Sequence, residues 1–360
     1  MDQPAIPVFK PCGLPCLIGS LPLTDHREAV QWVMEYVPEI PLWPQLPKYP
    51  QEGMLLQFIE GFPGVTLQDD HLFLNGAASN FEQELLEFYD EFLKVNEDPF
   101  LLAGSRFGLS INRANGIYAL KEAISDHKGA KAIKGQVTGP FTLLTGITDQ
   151  NKRLSYYDPT LRDMMVKGLA LKAAWQVRFF AEYGLPVLLF IDEPALAGLG
   201  SSSFISISNQ DVAADLSEII AAIHTAGGLA GIHICSNTDW GFVLSLDLDI
   251  LSFDAYNFFD RFLMFKPQVH AFLERGKVIA WGLIPTGDEQ AINNEGVDSL
   301  ADKWESQAKA LSSSRWDLPS LLTQTMITPS CGTGSLSLTT ARRVLALTRG
   351  VAASLRGKIF

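Results

Sequence analysis

Short unbroken apolar runs alternate with longer stretches whose apolar residues recur every three or four positions, from one end of the chain to the other. The runs lie at 16–20 (CLIGS), 54–60 (MLLQFIE), 131–137 (KAIKGQV), 187–192 (VLLFID), 229–235 (LAGIHIC), 249–254 (DILSFD), 278–284 (VIAWGLI) and 324–329 (QTMITP). Their length suits strands, and apolar character without alternation points to strands covered on both faces, as in a parallel sheet flanked by helices. The periodic stretches predict helices near 26–37, 80–95, 160–183, 211–226, 260–274, 297–313 and 338–356. In the fourth of these Asn209 offers an N-cap and Gly227-Gly228 a stop.

Eight such runs alternating with helices predict an α/β protein built as a (β/α)8 TIM barrel. A doubly wound open sheet is the alternative. Its dinucleotide-binding version lacks the G-x-G-x-x-G that would follow the first strand. The segment 61–76 (GFPGVTLQDDHLFLNG) reads as an inserted hairpin after strand 2. No repeat or low-complexity tract divides the chain, so residues 1–360 read as a single domain.

Composition narrows the function classes. Of 360 residues, 47% are hydrophobic and only 19% charged, ample for one large core. A net charge of −12 with no Lys/Arg cluster argues against a nucleic-acid partner, because phosphate binding needs a basic face. No apolar stretch is long enough to span a membrane, and the opening MDQPAIPVFK lacks the apolar core of a signal peptide. Four cysteines are too few for a disulfide framework, so a reduced cytoplasmic protein is expected.

The candidate chemistry gathers at strand ends. Ser20, Glu60, Gln136, Asp192, Glu193, His233, Cys235, Asp254 and Cys331 all fall at or just beyond the C-terminal ends of predicted strands. In a barrel those ends share one face, where active sites are built. His233 and Cys235 are two residues apart, so in a strand they point to the same side. Cys331 ends the last run, before Gly332. Imidazole and thiolates together suit a borderline-soft cation such as Zn2+. Free cysteines are also common core residues, and spacing alone does not separate the two readings. Asp254, at the end of the next strand, can be an oxygen ligand, a helix cap or an ion-pair partner. Asp192 and Glu193 would point to opposite faces, so at most one faces the barrel mouth, and Pro194 then ends the ladder. An acid there suits a substrate ammonium group; the other reading is a capping carboxylate. Gly19 and Ser20 can donate to a substrate carboxylate, Glu60 is a second candidate for an ammonium group, and Gln136 is a candidate for the cavity lining. Cys12 and Cys16, in PCGLPC, read as structural, and His26, His71, His127, His224 and His270 as solvated side chains without ligand partners.

With these residues in hand, the chain resembles the catalytic barrel of cobalamin-independent methionine synthase. That barrel lies within the wider superfamily of uroporphyrinogen decarboxylase and the zinc methyltransferases that use methyl-corrinoid proteins. The matching segments are IGSLP (18–22), IDEPAL (191–196), HIC (233–235), LSFDA (251–255) and PSCG (329–332), spread over nearly the whole chain in that family's order. The resemblance implies Zn2+ held by His233, Cys235, Asp254 and Cys331, with Asp254 standing where methionine synthase has Glu. It implies an acceptor thiol, homocysteine first, whose amino-acid part is held by Ile18, Ser20, Glu60 and Asp192. The expected function is therefore a zinc-dependent S-methyltransferase with His233, Cys235 and Cys331 at its centre. The donor stays open between methyltetrahydrofolate and a methylcorrinoid, the latter with a corrinoid protein as partner. The large N-terminal half of the long methionine synthases has no counterpart here, which weighs against the folate. Coenzyme M as acceptor and a non-catalytic zinc- or corrinoid-binding barrel are the alternatives.

Overall fold

The computed structural model describes residues 9–69, 71–124 and 129–360; residues 1–8 and His127 lie outside them. The strands are β1 (Val65–Gln68), β2 (His71–Leu74), β3 (Ile133–Thr138), β4 (Thr148–Asp149), β5 (Val187–Asp192), β6 (Leu229–Ile234), β7 (Ile250–Phe253), β8 (Val278–Ile284) and β9 (Thr325–Pro329). The helices are α1 (His26–Tyr36), α2 (Phe81–Glu97), α3 (Asn115–Ile124), α4 (Pro140–Gly146), α5 (Pro159–Phe180), α6 (Asn209–Thr225) and α7 (Trp240–Ser245). They continue with α8 (Ala255–Leu263), α9 (Lys266–Glu274), α10 (Glu289–Asn294), α11 (Val297–Leu311), α12 (Leu318–Thr323) and α13 (Leu338–Ile359).

Six of the eight apolar runs form one curled parallel sheet, in the order β3-β5-β6-β7-β8-β9. Apart from β3, whose inward side chains Lys134, Gln136 and Thr138 are polar, the strands of this sheet place their two sets of side chains in different cores. Leu188 and Phe190 of β5, Ile250 of β7, Val278 and Ala280 of β8 and Met326 of β9 pack together with Leu14 and Cys16. Their odd-even partners Leu189, Ile191, Leu251, Phe253, Ile279, Trp281 and Ile327 pack against the helices. Burial on both faces explains why these runs are apolar without alternation.

The two remaining runs depart from expectation. Residues 16–20 form no continuous strand: single parallel bridges join Pro15 to Ile327 of β9 and Ser20 to Gln45. Residues 54–60 are a series of turns. There the Gln57 amide donates back to the Gly53 carbonyl at 2.9 Å instead of to a neighbouring strand, and Gly61, at φ +85°, turns the chain away. The sheet edge at β3 is met instead by Leu42, bridged to Lys134. Pro41, Pro44 and Pro47 deprive this stretch of the N–H donors a ladder needs, so single contacts are what it can make. Within 61–76, β1 and β2 pair antiparallel, and β2 also pairs parallel with the short β4, forming a separate three-stranded sheet.

The helices follow the periodic stretches with local adjustments. Ser208, rather than Asn209, caps α6, in a reciprocal capping box with Asp211. The stretch 260–274 is two helices, because Pro267 restarts the chain as α9 just after α8 ends. No helix among the described residues is long and apolar enough to cross a membrane.

Candidate metal centre

His233 is the fifth residue of β6 and points to the sheet's inner side, in register with Asp192 of β5 and Ser252 of β7. One step earlier on that face stands Gly231. Phe190 occupies the space a side chain would need there, since a Cβ would lie 3.0 Å from its ring. Cys235 follows where β6 ends, and Cys331 follows β9. The metal-capable atoms of His233, Cys235 and Cys331 all lie within 4.8 Å of one another, the one such His/Cys/Asp/Glu group among the described residues.

Their surroundings favour a cation. His233 Nδ1 is 2.9 Å from the Ser252 hydroxyl, while its Nε2 is buried and makes no hydrogen bond. A donor bond from Nδ1 to Ser252 would leave the Nε2 lone pair free for a metal, the usual arrangement of a ligating histidine. The Cys331 thiol, hydrogen-bonded to Cys235, and the adjacent His233 hold Cys235 well below an ordinary thiol. Cys331 is pushed up, first by that bond to Cys235 and then by burial. One sulfur of the pair is thus poised as thiolate, the form that binds metals. An unsatisfied buried imidazole nitrogen beside a thiolate and a second thiol fits a metal ion.

The cluster lines a cavity of about 300 Å3, together with Ile18, Ser20, Glu52 and Asp192. The loop after Cys331 is stitched to Ser20: the Thr333 amide donates to the Ser20 carbonyl at 3.0 Å and the Gly334 amide to its hydroxyl at 3.2 Å. Gly332 must be glycine here, because a Cβ would run into the Ser20 hydroxyl. Asp192 is buried with one carboxylate oxygen unpaired. Burial raises it to about 6, against the pull of Lys134 and His233.

The neighbouring acids are spent on helix ends. Glu193 points away from the cavity and accepts from the Phe141 and Thr142 amides and the Thr142 hydroxyl at 2.6–2.9 Å. Asp254 caps α8, its two oxygens taking the Asn257 amide (2.9 Å) and side chain (2.7 Å). It is buried next to Cys235, whose charge contributes to raising it after burial, but it is not part of the three-residue group. Glu60 lies in a different cleft, of about 770 Å3, with His26, Arg113 and Asn115. Gln136 is wholly buried and donates to the Trp43 carbonyl at 3.0 Å rather than lining the cavity.

Among the histidines, His26 meets Glu52 at 2.6 Å and stacks on Tyr49. His224 meets Asp249 at 2.7 Å, and His270 the Leu311 carbonyl at 2.7 Å. These three are half-buried partners rather than solvated side chains, because each fills a gap where a carboxylate or carbonyl is left open by the fold. His71 stacks on Phe73. Cys16 sits in the inner core, its thiol pushed up to about 11 by burial, as suits an inert packing residue.

Two residues at the site carry no sequence motif. Glu52 is 3% exposed, accepts the Leu46 amide at 2.9 Å and borders both the small cavity and the larger cleft. Lys134 is 1% exposed within the sheet. Its only sequence signal is a lysine inside a run that reads as buried on both faces.

The fold and the centre together define an α/β protein with a His/Cys/Cys group at the C-terminal ends of a curled parallel sheet. No protein-family profile matches the sequence, and no curated protein matches it. Among solved structures, the chain shares its fold with a B12-independent methionine synthase from Shewanella sp. W3-18-1, solved in complex with selenomethionine. Identity there is 15% and the TM-score 0.58, over 96% of this chain and 98% of that one. A putative vitamin-B12 independent methionine synthase from Listeria monocytogenes is similar to the same degree: 15% identity, a TM-score of 0.57, and the same 96% and 98% coverage. The resemblance read from the sequence segments thus extends to the fold.

Proposed function

We propose that this chain is a zinc-dependent S-methyltransferase that methylates a small aminothiol, homocysteine before others. The observation that carries the reading is the unpaired His233 Nε2 beside Cys235 and Cys331, at the wall of a cavity that also presents Asp192 and Glu52. Names of the two structural neighbours point to the same chemistry. We also infer that the segments 14–20 and 42–45, bridged to β9 and β3 and to each other, complete an eight-membered (β/α)8 barrel.

In this reading His233, Cys235 and Cys331 would hold the zinc, a three-residue set that would leave it accessible to the acceptor thiol, as catalytic zinc sites are. Bound zinc would lower the acceptor thiol's pKa and hold it as thiolate near neutral pH. Ser252 orients the His233 ring. Asp192 and Glu52 suit the acceptor's ammonium group, and the Ile18–Ser20 segment its carboxylate. Holding the acceptor in line with a methyl group can contribute ~7–11 kcal/mol toward the barrier. Among the described residues the cavity wall carries Asp192 and Glu52 but no Lys or Arg, which favours a thiol bearing an ammonium group over a sulfonate thiol such as coenzyme M. At about 300 Å3 it suits the acceptor alone, so the donor, a methylcorrinoid or methyltetrahydrofolate, approaches from outside. The protein is assigned to the cytoplasm, where its thiols stay reduced.

Metal analysis and methyl transfer test the reading. The reduced protein is expected to hold near-stoichiometric zinc. Cys235→Ser and Cys331→Ser should lose it, and Asp254→Asn, which preserves the cap, should keep it. Methylcobalamin and methyltetrahydrofolate are then offered with homocysteine or coenzyme M. Methylated homocysteine is the expected product, whereas a zinc-loaded protein that methylates no thiol is a binding protein and the proposal fails.

A further inference from the structure

Lys134 stands on β3 inside the curl of the sheet, its ammonium 4.6 Å from the centre of the Phe190 ring. It donates to the Ile18 carbonyl and, at 3.2 Å, to Gln136 Oε1. Gln136 passes the contact on, its Nε2 donating to the Trp43 carbonyl. Both receiving carbonyls belong to the segments 14–20 and 42–47, which reach the rest of the sheet through single bridges. These segments carry Ile18, Ser20, Gln45 and Pro47 into the cavity wall. Asp192, on the next strand, supplies an opposing charge that partly offsets the cost of burying the Lys134 ammonium.

Packing alone does not account for a lysine here. Burying an ammonium is costly, and an apolar side chain of equal length would fill the same space without that cost. What methionine or leucine could not do is hold two carbonyl-bearing segments that have few ladder bonds of their own. We propose that Lys134 is a positioning residue for acceptor binding: by pinning the Ile18 carbonyl directly and the Trp43 carbonyl through Gln136, it fixes the wall that receives the acceptor's amino-acid end. The assignment rests on the thiol-binding reading above. It concerns the end of the acceptor remote from sulfur, so it is separable from metal binding.

The test compares zinc-loaded wild type with Lys134→Met, which removes charge and donor at similar length, and Lys134→Gln, which keeps a donor without charge. Each is titrated calorimetrically with L-homocysteine and with 1-propanethiol, a thiol that has no amino-acid end, and zinc content is measured alongside. Lys134→Met is expected to weaken homocysteine binding about 10–100-fold. Propanethiol binding and zinc content should match wild type, and Lys134→Gln should recover part of the loss. Equal weakening of both thiols marks a merely structural role and overturns the proposal, as does unchanged homocysteine binding. Should Lys134→Met fail to fold, Lys134→Gln carries the same comparison, and failure of both to fold also overturns it. If wild-type protein binds neither thiol, the thiol reading falls with it, and that is seen before any variant is made.

Discussion

Glu193 and Asp192 are adjacent in sequence and have opposite tasks, because a strand turns consecutive side chains to opposite faces. Asp192 keeps an oxygen unpaired toward the cavity, whereas Glu193 spends its carboxylate on the first turn of α4. Burial pushes Glu193 up to about 7, although its bonds to Thr142 and Phe141 pull the other way. The sign of the linkage follows. Between its unfolded value, about 4.3, and 7, the folded state keeps a proton that the unfolded state has released. Glu193 therefore favours folding fully below about pH 4, and that contribution declines as pH rises through 7, by on the order of 3 kcal/mol. Glu193→Gln has no such titration. Urea unfolding at pH 5 and pH 8 is expected to show the wild type losing more stability across that interval than Glu193→Gln. Parallel losses in the two proteins would mean that Glu193 ionises normally.

The segments that join the sheet through isolated bridges also supply part of the cavity wall. Residues 42–47 are wedged against α3, where Gly116 leaves no room for a side chain: a Cβ would run into the Pro44 carbonyl. In an exposed helix Gly→Ala gains up to about 1 kcal/mol. Here overpacking, which costs roughly 1–3 kcal/mol, should outweigh it. Gly116→Ala is expected to lower the urea midpoint with an unchanged m-value; a raised midpoint would show that the 42–47 segment yields freely. The same segment marks the limit of what the pattern of residues could say. Six strands were legible because their runs are short and buried on both faces, with β3 carrying Lys134 and Gln136 among its buried side chains, and the His233, Cys235 and Cys331 cluster because each lies at or just beyond the end of such a run. IPLWPQLP was not, since its prolines forbid a ladder and its place beside β3 comes from tertiary contacts. MLLQFIE was misleading for the converse reason: Phe58 and Ile59 are buried by coiling rather than by pairing, while Met54 stays exposed. Glu60, at its end, accordingly sits in the outer cleft, and Glu52 joins Asp192 at the cavity instead.

At the scale of the whole molecule, the centre sits on a scaffold that has a large apolar core of its own. Two of its residues follow the ends of β6 and β9, and all three rest above the apolar interior formed by Phe190, Ile250, Ala280 and Met326. Helices on the outer face bury a far larger set of side chains. Small structural zinc domains unfold without metal because the metal replaces a core; this chain has its core already. A ligand that binds only the folded state still adds stability, about 4 kcal/mol when present at a thousandfold over its Kd. Each kcal/mol moves the midpoint of a domain of 150–250 residues by only about 2–4 °C, and less for a longer chain, so the shift expected here is on the order of 5 °C. Removing metal with a strong chelator under reducing conditions should therefore leave the far-ultraviolet circular dichroism and a single cooperative transition intact. The midpoint should fall by that amount and return when zinc is added back. Collapse of the spectrum on chelation would instead make the His233, Cys235 and Cys331 centre a structural clasp, and would move it out of the chemistry proposed for the cavity.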